Sequence, residues 1–160
     1  MPKILSRLLA DGRPRRHRTS AREIADLLGV VERNLADASV EAASTDRRFT
    51  IAYEAALQLA TVTLYCNGYE TYGMGHHFTT FQALKETMGN AGAVYAKYFE
   101  ICRRKRAVTS YDRPGEISET DMDSLLREVK AFKEEVLAWL RKDHPPLATE
   151  VSDGRSQYDT

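Results

Sequence analysis

Residues 44–68, STDRRFTIAYEAALQLATVTLYCNG, read as one long helix built largely from small side chains. Ser44-Thr45-Asp46 supplies oxygens that can accept the free backbone N–H groups of a helix start. Asn67-Gly68 is a natural stop, because glycine takes the left-handed conformation of a helix end without steric cost. Between them Phe49, Ala52, Tyr53, Ala56, Leu59, Ala60, Thr63 and Leu64 recur with the helical period. Alanines fill much of the rest, and small residues let neighbouring helices come close. The segment is therefore expected to be the central helix of a bundle.

On the N-terminal side, Ser20-Ala21-Arg22-Glu23 forms a capping box. It opens a helix that turns Ile24, Leu27, Leu28, Val31, Leu35 and Ala38 inward and ends near Glu41. Residues 1–18 read as an arm, with Ile4, Leu5, Leu8 and Leu9 followed by the basic run Gly12 to Arg18. Such an arm either contacts nucleic acid or serves as a solubilising leader. On the C-terminal side, Tyr69 to His77 reads as a loop rich in glycine and aromatic residues. Thr79-Thr80-Phe81-Gln82 is a second capping box, opening a short helix closed by Gly89. From Ala91 an aromatic helix carries Tyr95, Phe99, Cys102 and Arg106 on one stripe. After a turn at Asp112-Arg113-Pro114-Gly115, Ser118 to Asp121 caps a last helix. Its inner face is Met122, Leu125, Leu126, Val129, Phe132, Val136, Leu137 and Leu140, and His144-Pro145-Pro146 ends it. Residues 143–160 read as a disordered acidic tail. No strand-like alternation stands out. The expectation is an all-α fold, an up-and-down bundle of four to five helices over residues 19–142.

Composition bounds the function. The 160 residues suit one domain, with 42% hydrophobic and 29% charged residues. A net charge of zero argues against a bulk polyanion binder, although local basic patches survive it. The most apolar run, Ile51 to Cys66, is interrupted by Glu54 and Gln58 and is too short to cross a membrane. The first residues lack the pattern of a signal peptide, so a cytoplasmic location is expected. Cys66 and Cys102 lie on apolar helical faces and read as two buried thiols. Nucleotide-binding glycine loops, triad patterns and metal-ligand spacings are all missing, and neither a metal nor a cofactor is expected. His76 and His77 are adjacent, which suits a loop better than a metal site. One of them is expected to cap a helix or to point toward the site.

The candidate site is the end of the aromatic helix, where Arg103, Arg104, Lys105 and Arg106 precede Tyr111. Guanidinium groups keep their charge and offer a planar fork of donors, which suits phosphate. Helical spacing leaves Arg106 at the end of the buried stripe and directs Arg103 and Arg104 elsewhere. In a purely structural role, such an arginine snorkels or caps helix carbonyls.

The helix order, the central alanine-rich helix and the arginine-headed turn before the last long helix resemble the HEPN domain family. Many members of that all-α family are metal-independent RNases of toxin–antitoxin and defence systems. Their motif is an arginine, usually followed by a polar residue, then four to six residues and a histidine. Here four residues separate Arg106 from Tyr111 and six separate Arg104 from Tyr111, with Ala107 in the polar position and Tyr111 in that of the histidine. The resemblance implies Arg106 and Tyr111 as catalytic residues, with Arg103, Arg104 and Lys105 binding nucleic-acid phosphate. His76 and His77 are accessory candidates. It also implies RNA or nucleotide as ligand, a nucleotidyltransferase antitoxin as partner, a homodimer, and Tyr111 as an alternative target of AMP modification. Three readings follow: an RNase, a non-catalytic module binding RNA, nucleotide or protein at the same corner, and a structural bundle whose cations cap a helix end.

Overall fold

The computed structural model describes residues 14–111 and 116–152, the side chains of 109–111 excepted. Among the described residues five α-helices carry the fold: α1 (Ala21–Ala38), α2 (Thr45–Cys66), α3 (His76–Thr87), α4 (Gly89–Tyr111) and α5 (Glu119–Asp143). The chain is an all-α helical bundle, as its periodicity predicts. A two-stranded antiparallel ribbon, β1 (Pro14–Arg16) and β2 (Tyr69–Thr71), is added at one side, pairing Arg15 with Glu70.

The helix α2 is the axis of the bundle and packs against each of the other four. Ala52, Ala55, Ala56 and Ala60 are all fully buried, so helix backbones close on it from several directions. Ser44 accepts from the Arg47 N–H at 3.3 Å to start it, and Gly68, at φ 86°, turns the chain away at its end. Thr63, buried on it, bonds the Ala60 carbonyl, and the half-buried Gln58 accepts from Asn34 of α1 at 2.9 Å. A ring cluster of Phe81, Tyr95, Phe99 and Phe132 joins α3, α4 and α5, with Tyr95 and Phe132 centroids 4.7 Å apart.

Several expectations hold in detail. At Ser118 both bonds of a capping box form: its hydroxyl accepts from the Asp121 N–H at 2.9 Å, and the Asp121 carboxylate accepts from the Ser118 N–H at 3.3 Å. The inner face of α5 is the predicted one, with Leu126 only half-buried. Ser20 caps α1 by accepting from the Glu23 N–H.

Others are corrected. The helix α1 stops at Ala38 rather than near Glu41, because the Ser39 hydroxyl takes the Leu35 carbonyl at 2.8 Å and its N–H bonds back to Ala36. The basic arm and the aromatic loop are not separate: three residues of each pair as β1 and β2. His17 fastens them, donating its N–H to the Gly68 carbonyl, stacking on Tyr65 at 4.1 Å and meeting Glu23 at 2.6 Å. The helix α3 begins at His76 and not at Thr79. Gly75, at φ 78°, starts it without a side-chain cap, while the hydroxyls of Thr79 and Thr80 bond back to the Gly75 and His76 carbonyls. The segment expected to be disordered starts out packed, since Leu147, Ala148 and Val151 lie against the core. The leucines of the N-terminal arm, the Asp112–Gly115 turn and residues 153–160 lie outside the described residues.

The helices α3 and α4 approach closely at Gly92. A Cβ added at buried Gly92 would stand 2.0 Å from the Leu84 carbonyl oxygen. Gly92→Ala is therefore expected to cost about 3 kcal/mol or more in urea unfolding, as overpacking against backbone does. Gly29, mid-helix in α1 with nothing near its missing Cβ, behaves oppositely. Gly29→Ala should stabilise by about 0.5–1 kcal/mol through helix propensity. Equal effects at the two positions would contradict the packing described.

Candidate functional site

The last turns of α4 present four consecutive cations, and their surroundings differ sharply. Arg103 forms a two-pronged pair with Glu100, at 2.9 and 2.7 Å. Arg104 also reaches Glu100, at 3.5 Å, and Lys105 pairs with Asp121 across the gap to α5 at 3.0 Å. Arg106 has no hydrogen bond or ion pair among the described residues. Its Nε is buried without a partner, and its guanidinium carbon lies 5.2 Å from the centroid of the Tyr53 ring. The π face of a phenol attracts a cation, which partly offsets the missing bond.

Arg103 and Arg106 line one cleft of about 300 Å³, walled on the other side by Gly73, Met74, Gly75, His76, His77 and Phe78. Arg104 and Lys105 line a different one, with Val108, Glu116, Ile117 and Asp121. The run thus divides otherwise than its stripe suggests: Arg103 sits with Arg106 because residues three apart share a helix face. The side chain of Tyr111 lies outside the described residues.

The accessory candidates His76 and His77 lie at this corner, in a helix and not in the expected loop. The left-handed Gly75 starts α3 so that His76 and His77 occupy its first turn, directly against the end of α4. The His77 Nδ1 lies 2.9 Å from the hydroxyl of Tyr53, which is itself fully buried on α2. A signal for this contact existed: a tyrosine on the most buried stripe of a bundle must find a partner for its hydroxyl. The His76 and His77 rings meet edge to face at 4.4 Å.

Electrostatics follow from this packing. Burial, reinforced by His76, Arg106 and Arg103, pushes the His77 imidazole down to about 4, so it is neutral at physiological pH. Burial holds the Tyr53 phenol well above its ordinary value, against the opposing pull of Arg106 and Arg103. The hydrogen bonds from Arg103 keep Glu100 ionised by lowering its carboxyl. Arg103 is therefore already charge-compensated and Arg106 is not. Met74 is fully exposed at the rim, Phe78 is 38% exposed beside it, and Tyr72 lies close by in the chain under the Arg15 guanidinium. Among the described residues no three His, Cys, Asp or Glu side chains gather as a metal site would require. The chemistry on offer is that of hydrogen-bond donors around one uncompensated guanidinium.

Comparison of the chain with protein-family models, with curated proteins and with solved structures finds no match in any of the three. No helix among the described residues is long and apolar enough to cross a membrane.

The neutral imidazole has a measurable consequence. The folded state binds the His77 proton only near pH 4, whereas an unfolded chain binds it near 6.5. Between those values the unfolded state holds more protons, so this residue's contribution to stability is full above about 6.5 and falls as pH drops toward 4. Unfolding free energies measured across that window should decline less steeply in His77→Gln than in the wild type. A slope identical in both would mean that His77 titrates normally.

Proposed function

We propose that the protein binds RNA through its phosphate groups at the cleft between α3 and the end of α4, as a HEPN-like domain. The observation that carries this reading is Arg106: a half-buried guanidinium with no counter-ion among the described residues, while the three cations before it are paired. A buried charge without a partner is costly, and an anionic ligand removes that cost. The surrounding groups fit the same ligand. The guanidinium of Arg103 and the two imidazoles stand around the cleft, and Met74 and Phe78 form an exposed apolar rim on which bases can lie.

Cleavage is the second reading, which the resemblance to HEPN RNases suggests and the same arginine favours. A guanidinium in a partly enclosed cleft can stabilise the charge that develops on a phosphorane. In that case Tyr111 would stand where the family places its histidine. A phenol of ordinary pKa, about 10, is a weak base at neutral pH, so its activity would depend on the cations preceding it.

Fluorescence polarisation with a labelled single-stranded oligoribonucleotide tests the binding. Arg106→Ala should weaken binding by about tenfold or more and lower the slope of log K against log salt by about 0.7, the value for one phosphate contact on a single strand. Lys105→Ala, which removes a cation already held by Asp121, should change affinity less than about twofold, as for an exposed ion pair. Equal losses in the two variants would reduce the site to general basicity. A wild type that does not bind, with Arg106→Ala lowering only the melting temperature, would leave the structural reading. Cleavage is read on the same oligonucleotide: loss in both Arg106→Ala and Tyr111→Phe supports the motif, and unchanged cleavage in both removes it.

A further inference from the structure

We infer that Tyr53 is a positioning residue that fixes the tautomer of His77, making His77 an uncharged hydrogen-bond donor to an anionic oxygen in the cleft. The inference deepens the proposed function and rests on it for the identity of the ligand.

Tyr53 is fully buried, and among the described residues its hydroxyl has one hydrogen-bond partner, His77 Nδ1, at 2.9 Å. A hydroxyl must donate as well as accept. If Nδ1 carried the ring proton and donated to the phenol oxygen, the O–H would be left buried with no acceptor, at a cost of about 1–3 kcal/mol. With Nδ1 as the acceptor the O–H is satisfied, and the ring proton then belongs to Nε2. The two nitrogens of an imidazole point in divergent directions, so Nε2–H is turned away from the core. No partner for Nε2 is present among the described residues, and the ring is a wall of the cleft.

The groups that face this imidazole act in the same sense. His76 comes from its own helix, Arg103 and Arg106 from α4, and Tyr53 from α2. Glu100, the nearest carboxylate on α4, is engaged by Arg103 and Arg104. Neither the cations nor the phenol favours a second proton on the ring. His77 therefore brings direction without charge, beside an Arg106 that brings charge. In this tautomer it cannot accept a proton from the cleft, so it is not the base of any cleavage there.

Nitrogen NMR of the histidine rings reads the tautomer in the free protein, independently of RNA. In the wild type, His77 should show a pyrrole-type Nε2 and a pyridine-type Nδ1. Tyr53→Phe should raise the His77 pKa, because a donor to the neutral form is lost. A pyrrole-type Nδ1 in the wild type, or a His77 pKa unchanged or lowered in Tyr53→Phe, would overturn the tautomer assignment whatever the RNA result. The donor role is read with the same oligoribonucleotide. His77→Gln, whose amide nitrogen can take the place of Nε2, should bind within about threefold of the wild type, whereas His77→Ala should lose about tenfold, the size of a good hydrogen bond to a charged group. Equal losses in both variants would overturn the donor role. If the wild type does not bind RNA while the NMR result holds, the ligand assignment falls and the Tyr53–His77 arrangement stands.

Discussion

A fully buried phenol needs a hydrogen-bond partner, and the position of Tyr53 on α2 makes that need a constraint on three helices. Its ring packs against Phe81 of α3, its hydroxyl reaches His77 at the start of α3, and its face lies under Arg106 of α4. It can stand at the centre only because its neighbours on α2 are small: Ala52, Ala55, Ala56 and Ala60 let the other helices close in. Gly92 does the same where α4 crosses α3. Core packing and cleft geometry are therefore one problem in this chain. A change that shifts α3 against α2 moves His77 relative to Arg106.

The arrangement of charge is equally economical. Arg103 and Arg104 share Glu100, which the pairing keeps ionised, and Lys105 reaches Asp121 of α5. The Lys105 pair ties the end of α4 to the start of α5, and Asp121 also closes the capping box on Ser118. One cationic side chain thus reinforces a helix start and bridges two elements. Local pairing explains how four successive cations coexist on one helix end in a protein of zero net charge. It also confines the uncompensated charge to Arg106.

The legible part of the fold was the part written in period and caps. Residues 44–68, the Ser118–Asp121 box and the inner face of α5 announced themselves, because helical periodicity repeats over many residues and a capping box is a local chemical unit. The strands β1 and β2 did not, since three residues hold too little alternation to recognise and their pairing depends on His17 meeting Gly68 across the chain. The start of α3 misled for a different reason. Threonines three residues before a glutamine or glutamate imitate a cap, yet here Thr79 and Thr80 lie inside the helix and return their hydroxyls to its carbonyls. At the site, the stripe of Tyr95, Phe99, Cys102 and Arg106 singled out the arginine that has no counter-ion among the described residues. It could not single out its neighbours: Tyr53 and His77 are 24 residues apart, and only the packing of α3 on α2 brings them together.

The balance between charge and direction limits what the cleft can recognise. Only one guanidinium there lacks a counter-ion, and the imidazole beside it is neutral, so long-range attraction contributes little in a molecule whose total charge is zero. Recognition must then come from short-range donors aimed at one oxygen-rich group, and from apolar contact at the rim. A cleft of about 300 Å³ is at the small end for ligand sites. The rest of a bound strand would pass over Met74 and Phe78, which are exposed at the edge of the cleft. A free nucleotide gains little from that rim, whereas a polymer presents another base to it for each phosphate it seats. This asymmetry is the physical reason for preferring RNA to a mononucleotide as the proposed ligand of this corner.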